Sequence, residues 1–221
     1  MRNIKSFFVL FALVINSWDA FAQLSILRDN GTGNPILTSP YREVKGTQYI
    51  EDFKLGSIFL PNGQHVEGLQ LALNGYENTL EYKLDGSLFA YPADKLAGFS
   101  ILEPNGGFIE YTTQYTIPTL GKKRFLKILE KGKYTLLHHQ YKIMADDVTA
   151  TYGSQAAKVF QNQEEFFLVK GDKVYLLKNK SKDLQEIFGD DVDRVTSLIK
   201  TLKTNFKNPE DLRQLISQLN K

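Results

Sequence analysis

Cysteine is absent from all 221 positions. That single gap excludes disulfides, thiolate zinc sites and thiol nucleophiles together. It also removes the residue through which a processed lipoprotein carries its lipid. Tryptophan occurs once, at Trp18, and histidine three times, at His65, His138 and His139. Basic and acidic residues are interspersed and nearly balanced, 27 against 25. No basic block therefore marks a nucleic-acid footprint. The chain has no G-x-S-x-G elbow, no H-E-x-x-H pair and no glycine-rich phosphate loop after a strand. Internal repeats and low-complexity linkers are missing too.

What is present begins with the pattern of an export leader. Arg2 and Lys5 precede the apolar run "FFVLFALVI", and Ala20-Phe21-Ala22 offers the small residues that a signal peptidase reads. The run is about half of the roughly 20 residues that a membrane-spanning helix requires. We expect cleavage between Ala22 and Gln23, leaving a secreted or periplasmic chain with no membrane span. Residues 23–45, with "RDNGTGNP", read as a loosely held N-terminal arm. Asp29 and Asn34 there lack the alternating acids and closing glutamate of a calcium loop, so turn is the better reading.

A β-rich domain is expected over 46–180. In "NTLEYKL", Leu80, Tyr82 and Leu84 alternate with Thr79, Glu81 and Lys83, the period-two mark of a strand with one buried and one wet face. Leu69, Leu71 and Leu73 do the same. Asn62-Gly63, Asn74-Gly75 and Asp85-Gly86 punctuate the runs as tight turns. In "QHVEGLQLAL" the apolar phase slips between Val66 and Leu69, which predicts a β-bulge at Gly68, with His65 and Glu67 facing solvent. Hairpins are expected around Lys131-Gly132 and Gly171-Asp172. The connection between them, "MADDVTATYGSQAAKVFQNQ", carries a short helix over 155–160 on this reading.

Over 181–221 the spacing turns helical. Ser181 is the expected cap of a helix ending near Gly189, and Asp191 of a second with Val192, Val195, Leu198, Ile199, Leu202 and Phe206 on one stripe. A third has Asn208 as N-cap, Pro209 at its first position and Leu212, Leu215, Ile216 and Leu219 on its apolar side. Such short helices are marginal alone and are expected to pack on the β domain.

The adjacent histidines cannot both ligate one metal from a regular strand, because successive side chains point to opposite faces. His139, with Leu137, Tyr141 and Ile143 on its face, reads as a partly buried, hydrogen-bonded core residue, and His138 as the wetter one. Tyr91, Tyr111 and Tyr115 read as core filling before ligand contacts. The weak candidates for a site are Asp146 and Asp147 in the long connection, Tyr152 nearby, and His139. No cofactor or metal is implied.

Tyr49, Phe53 and Gly56, followed by Asn74, Tyr76, Leu80 and Glu81, resemble the pattern of a family of small uncharacterised secreted proteins of Gram-negative bacteria. "EEFFLVKGDKVYLLKNKSKDLQEIFGD" and "NPEDLRQLISQLN" extend the resemblance over most of the exported chain. The resemblance implies export but carries no assigned activity.

The expected fold is α+β: a mainly antiparallel sheet or half-barrel built from hairpins, with short C-terminal helices. The expected role is a non-enzymatic secreted or periplasmic module that binds a partner protein or an amphiphilic ligand. Two alternatives are a cofactor-free hydrolase using carboxylates and a lipid-binding β-barrel.

Overall fold

The structure, a computed structural model, describes residues 41, 44–84, 86–148 and 158–221. The expected leader, its cleavage site at Ala22 and Gln23, the turn at Asp29 and Asn34, most of the arm and Tyr152 lie outside the described residues.

Eleven strands form one sheet: β1 (Val44–Lys45), β2 (Tyr49–Phe59), β3 (His65–Asn74), β4 (Thr79–Leu84), β5 (Ser87–Pro92), β6 (Gly98–Leu102), β7 (Phe108–Thr112), β8 (Leu126–Glu130), β9 (Tyr134–Asp146), β10 (Lys158–Lys170) and β11 (Lys173–Leu176). The order is β1-β10-β9-β8-β7-β6-β2-β3-β4-β5, with β11 also beside β10. Two antiparallel meanders, β2 to β5 and β6 to β11, are thus joined along β2 and β6. Only β1 pairs in parallel, with β10. Helices α1 (Ser181–Phe188), α2 (Val192–Leu202) and α3 (Pro209–Leu219) follow. The fold is the expected α+β, and the sheet is open. The closed wall that a lipid-binding barrel needs is not formed among the described strands.

Gly68 makes the expected bulge. Gly56 pairs with Leu69 and Ile58 with Val66, so Ser57 alone faces Glu67 and Gly68. The extra residue takes φ 74°, which glycine adopts without a Cβ clash. His65 and Glu67 lie exposed beside it, 3.4 Å apart. Gly56 answers a different need: a Cβ there would stand 2.2 Å from the carbonyl oxygen of Ser100 on β6.

The two ends of the sheet, β2 to β7 and β8 to β11, bury different cores. The first gathers Ile58, Leu71, Leu80, Tyr82, Phe99 and Tyr111 with their neighbours. Rings stack within it: Tyr82 lies 5.2 Å from Phe89 and 5.4 Å from Tyr91, and Phe99 4.5 Å from Tyr111. The second places Tyr134, Leu136, Phe166 and Leu168 under the three helices. Leu126, Leu137, Phe167 and Val169 point to the opposite face and meet Ile117, Tyr115 and Leu120. The start of β9 and the end of β10 are therefore covered on both sides.

Four local expectations are corrected. Residues 158–160 are strand and not helix, because the β9–β10 ladder runs unbroken from Lys158↔Asp146 to Lys170↔Tyr134. Ser181 starts α1 without capping it; the N-cap position falls on Lys180, which makes no side-chain cap bond. Asp191 stands before α2, but its carboxylate turns to Lys133 Nζ and the Tyr134 hydroxyl, each at 2.6 Å. On β4, Leu84 is exposed and Glu81 is buried, the reverse of the alternation reading. Glu81 is held there by Asn74 Nδ2 at 2.8 Å and the Tyr49 hydroxyl at 2.6 Å. Asn208, by contrast, caps α3 as expected, accepting from the N–H groups of Glu210 and Asp211.

Candidate functional site

The turn after β3 folds back onto β9, where the Lys142 N–H donates to the Gly75 carbonyl at 3.1 Å. This bond, the pairing of β1 with β10 and the packing of Tyr76 on Phe160 at 5.4 Å bring the start of β2 over the β9–β10 ladder. A cleft of about 310 Å³ opens between them, lined by Tyr49, Ile50, Gln140, Lys142, Asn162, Gln163 and Glu164. Gln140 and Lys142 share a face of β9 by the two-residue period, and Asn162 and Glu164 face the same way from β10.

His138 stands on that same face, next to Gln140. Only 3% of it is exposed. Its ring stacks on Phe166 at 4.4 Å, and Nε2 lies 2.9 Å from a Glu164 oxygen. Burial holds His138 below the ordinary imidazole range, and Glu164 works against that shift. Burial also lowers the Lys142 ammonium. Tyr49 is pushed above the usual phenol range, first by burial and then by its bond to Glu81. His138 was expected on the wetter side. Helices α1 to α3 overturn that by covering its face around Leu136 and Phe166.

His139 points to the other face. It is as buried as its neighbour and stacks on Tyr141 at 4.8 Å. The expected hydrogen bond is not made at Nδ1, which lies 3.5 Å from Glu165 Oε2, and both atoms are buried without a hydrogen-bond partner. Burial, and then the Arg124 and His138 charges, lower His139 to about 4. It is a neutral imidazole at neutral pH.

The remaining candidates do not converge. Asp146 is an exposed strand end paired with Lys158. Asp147 is largely buried and pairs with Lys45 of β1. Neither lines the cleft, and neither shares a partner with His139. A two-carboxylate hydrolysis needs acids about 5–9.5 Å apart across a bond. The cleft lining offers Glu164 alone. It also holds no serine or threonine for His138 to activate. Among the described residues, no group of three His, Cys, Asp or Glu is placed to hold a metal. No helix there is long and apolar enough to cross a membrane.

What the lining does hold is a set of recognition groups: three carboxamides, an ammonium, a carboxylate and a tyrosine. Gln140, Asn162, Gln163 and Glu164 have no signature in the sequence, since isolated polar residues on a strand carry none. The β9–β10 register sets Gln140 opposite Glu164 and Lys142 opposite Asn162, and the fold-back at Gly75 places Tyr49 and Ile50 over them. Comparison with family models, with curated proteins and with solved structures finds no match to the chain.

Proposed function

We propose that this chain is an exported, non-enzymatic binding module that engages a partner protein through the cleft over β9 and β10. One observation carries the reading: the cleft presents donors and acceptors in quantity, while its lining holds no serine or threonine and the nearest imidazole, His138, is buried behind it and committed to Glu164. Such a surface orients a bound polar chain and lacks the parts to break a bond in it. The leader pattern around Ala22 and Gln23 supports delivery to the periplasm or beyond.

The test places a photo-crosslinking residue at Gln140 in the exporting cell. We expect one discrete adduct, lost in the Lys142→Glu variant. A measured hydrolysis of ester, amide or glycoside by the purified chain, abolished by a single replacement at His138, Asp146 or Asp147, overturns the reading. Export is checked separately: the exported chain should show tyrosine but no tryptophan fluorescence, because Trp18 leaves with the leader.

A further inference from the structure

Among the described residues, the outer edge of β10 is paired only at its two ends. β1 pairs with Lys158 and Val159, and β11 with the residues from Phe167 to Lys170. No described strand lies beside residues 160–166. In a strand, both backbone groups of alternate residues point to the same side. The Phe166 carbonyl points outward, because it accepts from the Leu177 N–H at 2.8 Å. The same alternation turns the N–H and C=O of Asn162 and Glu164 outward. Lys142, opposite Asn162, agrees with this by sending its own N–H away from β10, to Gly75.

The slot is about 20 Å long at the rise of a strand, room for one segment of about six or seven residues. Its side chains are Gln161, Asn162, Gln163, Glu164 and Glu165, which include two acids and no base. Glu164 is 45% exposed on the cleft face. Glu165 stands on the opposite face with its buried Oε2 unpartnered. Lys142 in the cleft, Lys127 opposite His138 and Arg124 near His139 are cations close by. None of the three forms an ion pair with these glutamates.

We propose that this slot receives an extended, lysine- or arginine-bearing segment of the partner protein, added as a strand between β1 and β11. The inference rests on the binding reading above. Main-chain bonds to Asn162 and Glu164 supply affinity, and the two glutamates select cations at successive positions of the incoming strand, one on each face.

The probe is a synthetic peptide of about seven residues that alternates lysine with threonine or valine. With the full chain it should bind saturably and slow hydrogen exchange at the Asn162 and Glu164 amides. A glutamate-for-lysine peptide, or the Glu164→Lys variant, should weaken binding about tenfold or more. Asn162→Pro should abolish it while keeping the β9–β10 ladder, since the N–H removed points away from β9. Methylating the probe's edge-facing amides tests the same bonds without altering the protein, and should also abolish binding. Binding that survives both changes, or no binding of the lysine peptide, overturns the slot. A Gln140 crosslink that forms regardless of Asn162→Pro overturns the slot and leaves the binding reading standing.

Discussion

The two ends of the sheet, β2 to β7 and β8 to β11, bury their strands by different means. In the first, the core is made by the sheet itself and is rich in rings: Tyr82 against Phe89 and Tyr91, Phe99 against Tyr111 and Phe125. In the second, helices form the cover, and the contact is mostly leucine and isoleucine from α1, α2 and α3 on Leu136 and Leu168. In the first, rings on directly paired residues of neighbouring strands stack on each other, Tyr82 on Phe89 and Phe99 on Tyr111. A helix brings its own narrow stripe, and branched aliphatic side chains interlock with that. Both buried histidines lie on β9, one on each face, and the cleft opens further along the same strand, where the start of β2 and not a helix forms the facing wall.

The comparison can be broken most directly through Phe99. Phe99→Ala removes a fully buried ring and should cost about 3–5 kcal/mol, against about 2–5 for Leu215→Ala in the other half. Calorimetry should show one transition falling in both variants. Two separated transitions would mean that the halves fold independently.

The pH profile sharpens the contrast next. His139 is held at about 4 in the folded chain, against 6.5 as its ordinary value. Between those values the unfolded chain takes up a proton that the folded chain refuses. This stability is complete above pH 6.5 and is lost as pH falls toward 4, by roughly 3 kcal/mol. His138 shifts in the same direction and adds to the loss. Denaturant melts across this window should flatten for His139→Gln; an unchanged slope would remove His139 as the cause.

Smaller effects probe one local device in each half. Gly68→Ala forces φ 74° on a residue with a Cβ, in open space, and should cost about 1–2 kcal/mol from backbone strain alone. Asn208→Ala uncaps α3 and should cost about 1 kcal/mol, with Asn208→Ser restoring most of it. Urea midpoints measure both. A neutral Gly68→Ala would show that the bulge is not required.

Much of this was legible from residue spacing. The Leu69, Leu71 and Leu73 face of β3, the Gly68 bulge, the hairpins at Lys131-Gly132 and Gly171-Asp172, and the α3 cap all depend on neighbours within a few positions. The misreadings share a physical cause. Whether His138 or Glu81 is buried depends on what arrives over its face from far along the chain, α1 to α3 for one and Tyr49 for the other. The ladder over 158–163 was hidden because "KVFQNQ" is polar on both sides, and its pairing with β9 is dictated by the apolar register further on. Of the sequence candidates, Asp146, Asp147 and His139 sit apart from the cleft, whose floor is set by the β9–β10 register and whose roof, Tyr49 and Ile50, arrives from far earlier in the chain.

Asn220 binds the backbone of Tyr134 at both ends, accepting from its N–H and donating to its carbonyl, each at 2.9 Å. The hairpin that begins β9 is thus locked by a residue that comes 86 positions later. A growing polypeptide therefore displays a bare, leucine-lined sheet surface until α3 and Asn220 have been synthesised. Over that interval a chaperone has something to hold, and a ribosome that stops short of position 220 releases a sticky product.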